Sequence, residues 1–344
     1  MYIKYSRNHE LPCFSGMFTI LNKDFRKSNC AVFFFLLYNV VNMDIREQII
    51  NLKKEKNAVI LAHCYQNSEI DEVADFVGDS LYLSQQAANS NADIIVFAGV
   101  TFMAQTAKII SPDKKVLIPT LDCGCDMADM INLNQLREFK SKYPNIPVVC
   151  YINSTAEVKS ECDICCTSSN AVKIVESLNS DKVLFLPDQY LGKWVEAQLN
   201  GVEVITYDGC CPIHNKVSAN DVKVAKSLHP NAKVLTHPEC KSEVTLISDY
   251  VGSTTGIMKY VANHPQEDEF IIVTEKGVVD RLRRDYAGKK FYLIKEDLIC
   301  PSMKTNRLED ILKALTDEKY EVTLDSEISQ KALGCIERML QVSQ

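Results

Sequence analysis

Three cysteines recur at nearly constant intervals: Cys125, Cys211 and Cys300 follow His63, Tyr151 and His237 by 62, 60 and 63 residues. Thiolates are soft ligands, so three delivered at one interval point to a shared metal centre. With no fourth partner in the pattern, a [4Fe–4S] cluster suits them better than a closed structural zinc site, which takes four ligands. One iron would stay open, and an open iron is a Lewis acid for a hydroxyl or carboxylate, as in a dehydratase. The plain alternative is three buried cysteines packed as small hydrophobes.

The interval belongs to a threefold repeat. The segments His63-CYQNSEIDEVADFVGDS, Tyr151-INSTAEVKSECDICCTS and His237-PECKSEVTLISDYVGST align without a gap. They place Glu69, Glu157 and Glu243 together, then Asp75, Asp163 and Asp249, then Ser80, Ser168 and Thr254. Self-similarity at a fixed period marks a fold built from repeated units.

To position such residues, each unit must supply strands and helices in alternation. The repeats open on short apolar runs (VILAH, VVCYI, KVLTH), and IIVFAG, KVLIPT, KVLFLP, VEVITY, FIIVTE and KKFYLI follow later. Continuous apolar runs suit parallel strands covered on both faces. The expected fold is therefore α/β: three doubly wound α/β/α domains with short parallel sheets around a pseudo-threefold axis. Ligands in such sheets bind beyond the strand C-termini, where the repeated polar residues are expected. Stretches such as INLNQLREFKSKYPNIP and SANDVKVAKSLHPNA read as linking helices ending at Pro or Asn. The expected divisions are repeats over 43–143, 144–229 and 230–322, then a capped helix over 323–344.

The chain has 344 residues, 46% hydrophobic and 24% charged, enough to bury sizeable cores. Its net charge of −7 lacks the basic footprint of a nucleic-acid binder. A chain this long does not need its 14 cysteines as disulfide staples, and several lie in apolar strand patterns. This composition predicts a reducing, cytoplasmic setting.

The apolar run Ala31–Val41 reaches about half the ~20 residues of a membrane helix and precedes no small-residue cleavage pattern. Met43 directly precedes the helix-like DIREQIINLKKEKN, so residues 1–42 read as a non-native or disordered extension. No membrane partner is expected.

Cys123, Cys165 and Cys210 neighbour better candidates, and Cys64, Cys150 and Cys240 sit beside strand ends, so they read as small hydrophobes. Cys162-Asp-Ile-Cys165 has the spacing of a redox dithiol without its usual context.

The ordered motifs LAHCYQ, GDSLYLS, FAGVTFMAQTAKI, CDMAD, YINSTAEVK, TSSNAVKI, FLPDQYLG, CPIH, HPEC, GSTTGIM, TEKG and CPSM resemble those of quinolinate synthases, from about 57 to 306. The resemblance implies condensation of iminoaspartate with dihydroxyacetone phosphate to quinolinate, phosphate and two waters, on the route to NAD. It also implies a [4Fe–4S] cluster on Cys125, Cys211 and Cys300, and an aspartate-oxidising enzyme as transient supplier of iminoaspartate.

By the same motifs His63, Tyr65, Ser80, Tyr151, Asn153, Ser168, His214, His237, Glu239, Ser253 and Thr254 would line the pocket. Condensation and isomerisation need a base beside a carbonyl, for which Glu239 and His237 are candidates, with His63, Tyr65 and Tyr151 as further catalytic groups. His214 either reaches a cluster-bound group or donates to a sulfur.

Two rivals are a different iron–sulfur hydro-lyase and a cluster-bearing sensor, although no basic or partner-binding segment offers a sensor's output surface. A serine hydrolase, suggested by Gly78-Asp79-Ser80-Leu81, fits poorly because Ser168 and Thr254 recur at that position without the tetrapeptide. No GxGxxG or P-loop supports nucleotide binding.

Overall fold

A computed structural model describes residues 43–344. The expectations for 1–42 lie outside the described residues.

Twelve strands form three four-stranded parallel sheets, each arising from one repeat. In the first, β1 (Ala58–His63) and β3 (Ile94–Ala98) are central, flanked by β2 (Phe76–Gly78) and β4 (Lys115–Leu117). The second repeats this with β5 (Val148–Tyr151), β6 (Ile164–Cys166), β7 (Lys182–Leu186) and β8 (Glu203–Thr206), in the order β6-β5-β7-β8. The third uses β9 (Lys233–Thr236), β10 (Tyr250–Val251), β11 (Glu269–Val273) and β12 (Lys290–Leu293), in the order β10-β9-β11-β12. The central strands are buried almost throughout, which explains why they read as continuous apolar runs rather than alternations.

One repeated residue explains how each sheet is registered. Asp75 Oδ2 accepts from the Ile60 amide at 2.7 Å, Asp163 from Val148 at 2.7 Å and Asp249 from Val234 at 2.8 Å. Each aspartate's own amide donates back to the same residue's carbonyl, closing a two-bond clamp just before the edge strand begins. These aspartates thus lie at the start of the edge strand, not beyond strand C-termini as the repeat suggested. The repeated glutamates Glu69, Glu157 and Glu243 sit on short surface helices and do not enter the central cavity either.

The linking helices Leu133–Ser141 and Ala219–Leu228 each open with a capping box, Asn132 with Gln135 and Ser218 with Asp221. Such boxes satisfy two orphan amides at once. After the third sheet the chain returns to the first, where helix Leu308–Asp317 packs on helix Ile45–Glu55 over Ile60, Val96 and Leu117. The last helix, Ser326–Val342, is capped by Asp325 and buries Ala332, Cys335, Ile336 and Met339 in a core shared by the first two sheets. Truncating a buried residue such as Phe185 to alanine would cost ~3–5 kcal/mol. Among the described residues no helix is long and apolar enough to cross a membrane.

Candidate active site

All three sheets aim the loops after their first and last strands at one cavity with about 690 Å³ of empty space, its open mouth included. Cys125, Cys211 and Cys300 line it, and Cys123 does not: its Sγ donates to Thr120 O at 3.0 Å. Burial pushes the Cys125 thiol up to about 12 and Cys300 to about 11, and raises Cys211 as well. Without a cation, then, these thiols hold their protons.

Each sulfur nevertheless sits in the same cradle. The backbone N–H three residues on, from Ala128, His214 or Met303, faces it, and a short 3₁₀ turn follows at 128–130, 214–216 and 302–304. An N–H aimed at sulfur favours thiolate over thiol, as a metal ligand requires. Among the described residues the three thiols do not gather within the 4.8 Å that a single shared ion would need. Three thiols brought by three separate loops suit a multi-iron cluster, whose ligands hold separate corners.

Two ligand loops are held from behind by buried carboxylates that sequence reasoning missed. Asp188 caps helix Gln189–Gln198 through the Tyr190 and Leu191 amides and also accepts from Cys211 N at 3.2 Å. Glu275 occupies the equivalent place in the third unit, accepting from Gly277 N at 2.6 Å and Cys300 N at 3.2 Å. The first unit has no acid there: Thr101 instead donates from N and Oγ1 to Cys123 O. An Asp or Glu one residue before each helix was the available signal. Gly277 matters because a Cβ there would lie 2.9 Å from Cys64 O and from Tyr65 Cα, so its absence lets the third unit approach the first.

The polar wall centres on Glu239. Oε1 accepts from Tyr151 Oη at 2.6 Å, and Oε2 lies 2.7 Å from His214 Nδ1, a close electrostatic contact short of an aligned hydrogen bond. Burial opposes its ionisation, but His237, His214 and the Tyr151 hydroxyl outweigh it and hold the carboxyl well below the usual carboxylate range. His214 stacks on His237 with ring centres 4.8 Å apart.

His63 and His237 share a local turn. The amide two residues on donates to Nδ1 in each, from Tyr65 at 3.2 Å and Glu239 at 3.3 Å. Burial lowers both imidazoles to about 4, so they are neutral near pH 7 with the proton on Nε2, where His237 meets Ser168 Oγ at 3.2 Å. A hydroxyl chain completes the wall: Thr254 Oγ1 donates to Tyr65 Oη, which lies 2.9 Å from Thr274 Oγ1, itself 2.9 Å from His214 Nε2.

Ser80, Ser168 and Thr254 all face the cavity, and none of the three caps a helix. Asp79 caps the helix after β2 and Ser253 the helix after β10, each one residue earlier, because capping needs the side chain on the last extended residue. Ser253 is committed to the Gly256 amide at 3.1 Å and does not line the cavity. Asn153 does, and its buried Oδ1 has no hydrogen-bond partner among the described residues. Of the pocket residues expected from the motifs, Ser253 alone stands outside, while Asp79, Phe102, Thr167, Glu275 and Met303 join.

Comparison with known proteins shows the family. The family described as Quinolinate synthetase A protein matches residues 47–341. The chain is 51% identical to the quinolinate synthase of Alkaliphilus metalliredigens over 296 residues, 86% of this chain and 97% of that one. Against the quinolinate synthase of Pyrococcus horikoshii identity is 48% over 303 residues, 88% of this chain and 100% of that one.

Proposed function

Because the chain belongs to the quinolinate synthetase A family, we propose that it condenses iminoaspartate with dihydroxyacetone phosphate to quinolinate, phosphate and two waters, in NAD biosynthesis. The observation that carries this reading is the arrival of one thiol from each repeat in a single cavity that also holds the Glu239–Tyr151 pair. Cys125, Cys211 and Cys300 would hold a [4Fe–4S] cluster, which supplies one open iron as Lewis acid for a substrate oxygen or nitrogen.

The chain's own residues do the rest. Glu239, kept ionised in a desolvated wall, removes a proton next to a carbonyl, and the His214 imidazole and the Tyr151 hydroxyl keep it aimed. With Thr254 donating to Tyr65 and Tyr65 to Thr274, the last hydroxyl donates to His214 Nε2, leaving the His214 proton on Nδ1 against Glu239. That proton can follow the charge as Glu239 takes up and gives back its own. Neutral His63 and His237 offer Nε2–H donors to carboxylate or carbonyl oxygen. Ser80, Ser168, Thr254 and the Asn153 side-chain NH2 receive the substrates' carboxylates and phosphate, while Val100, Phe102, Met127, Ile213 and Met303 keep water out.

A second reading rests on Cys211, His214 and Glu239, whose ligand atoms lie within 4.8 Å of one another and suit one divalent ion. Anaerobic purification with iron and acid-labile sulfide analysis separates the two. Near-equal iron and sulfide, with quinolinate formed from the two substrates, supports the cluster enzyme; one zinc or iron per chain without sulfide removes it.

A further inference from the structure

Away from the cavity the middle sheet carries a second group of thiols. Cys150 in β5 and Cys165 in β6 are register partners, and the C-terminal helix Ser326–Val342 lays Cys335 over them. Cys165 Sγ is 3.2 Å from Cys335 Sγ, closer than two sulfurs pack without interacting, and all three residues are fully buried. Cys162, which the sequence pairs with Cys165 by spacing, instead donates its Sγ to Val158 O at 3.1 Å.

A buried cation stands beside the group. Lys159 is fully buried, its Nζ bonded to Ser154 O at 2.6 Å and Thr106 Oγ1 at 3.2 Å and set over the Phe102 ring at 5.3 Å. Burial lowers the Lys159 ammonium below its ordinary range; among the described residues no carboxylate pairs with it, and Cys165, Cys150, Cys335 and Cys162 work the other way. An ammonium beside thiols favours thiolate among them, the form that reacts with oxidants. Cys150 falls well below the ordinary thiol range: burial works against this, while Cys162, Cys165 and Lys159 bring it about; burial, Cys150 and Cys335 push the Cys165 thiol the other way, so the pair stands on its sulfur–sulfur distance.

We propose that Cys165 and Cys335 are a redox modification site, oxidised by a hydroperoxide to a disulfide that fastens the C-terminal helix to the middle sheet. In the first step one thiolate sulfur attacks a peroxide oxygen; the S–O bond forms, the O–O bond breaks and hydroxide leaves, taking a proton to become water. The second sulfur then attacks the sulfenic sulfur; the S–S bond forms, the S–O bond breaks and the departing hydroxide takes the second thiol's proton. Two thiols become one disulfide and hydrogen peroxide becomes two waters. Closing to the ~2.0 Å of a disulfide needs about 1 Å of side-chain movement. Oxidant enters when the helix opens locally, and an external dithiol reverses the bond by exchange.

The test treats the full-length purified protein with hydrogen peroxide, alkylates the remaining thiols, and maps linked peptides by mass spectrometry without reduction. The expected result is a Cys165–Cys335 linked peptide, with a melting temperature raised by roughly 5 °C or more. Dithiothreitol should reverse both, and Cys335→Ala should show neither. Cys165→Ala, on the sheet rather than the helix, serves equally should the first variant misfold. Because the cavity thiols also oxidise, only this peptide and its variant-dependent shift are read. Cys165 linked to Cys150 or Cys162, Cys335 still alkylated at excess peroxide, or an equal rise in melting temperature in Cys335→Ala would each overturn the site.

Discussion

The Tyr151 hydroxyl donates to Glu239 Oε1 across 2.6 Å, joining the first strand of the second repeat to the loop after the first strand of the third. One carboxylate oxygen is thereby fixed, and the other is left to His214 and the cavity. Replacing Glu239 by glutamine keeps the shape and removes the base. We expect kcat to fall ~10²–10⁴-fold, with far-ultraviolet circular dichroism and bound iron unchanged. Tyr151→Phe should lose about tenfold, the value of one net hydrogen bond of roughly 1.5 kcal/mol. Near-normal turnover of Glu239→Gln would remove it from the mechanism.

Cys125→Ser, Cys211→Ser and Cys300→Ser should each lose cluster iron, sulfide and activity, since an alcohol is not a soft ligand. Cys123→Ser is the control, its side chain turned to Thr120 and away from the cavity. Iron and sulfide analysis decides, and a full brown cluster in any of the first three variants would refute the ligand set.

Asp188 takes three backbone amides, one of them from Cys211, with its carboxylate fully buried. Asp188→Ala orphans all three and should cost ~1–3 kcal/mol per buried unsatisfied donor that water cannot reach. Two readouts are expected to move together: a lower melting temperature and a lower iron content. Normal iron in a destabilised variant would confine Asp188 to helix capping.

Ser168 and Thr254 face the cavity and neither side chain caps a helix, Ser253 taking that role before Thr254, so alanine there should spare stability and raise a Michaelis constant. Steady-state kinetics with each substrate varied in turn tests this. Unchanged kinetics in both variants would defeat the binding role.

Glu318 bridges Lys56 and Lys115, which hold its carboxyl down to about 2. A depressed folded-state value contributes stability above the ordinary 4.5, lost as pH falls towards 2. Glu318→Gln should therefore melt below the parent protein at pH 7, with the gap narrowing as pH drops through 4. A gap that stays constant over that range would show that the ion pairs contribute nothing, the usual outcome for exposed pairs.

Period and offset in the sequence determine the strands, the linking helices, the alternation of β and α, and the three thiols. Those signals are local: a buried parallel strand must be apolar at every position, and a capped helix announces itself within four residues. The repeat also multiplies evidence, since Cys125, Cys211 and Cys300 support one another. It could not distinguish roles among equivalent residues, because Asp75, Asp163 and Asp249 recur for a backbone clamp as faithfully as Ser80, Ser168 and Thr254 recur for the cavity. Only the tertiary structure decided that, along with the contacts between units: His214 on Glu239, Thr274 between Tyr65 and His214, and Cys335 on Cys165, 170 residues away. Such contacts depend on how three sheets and a returning helix pack, and no residue pattern within one element encodes its distance to another.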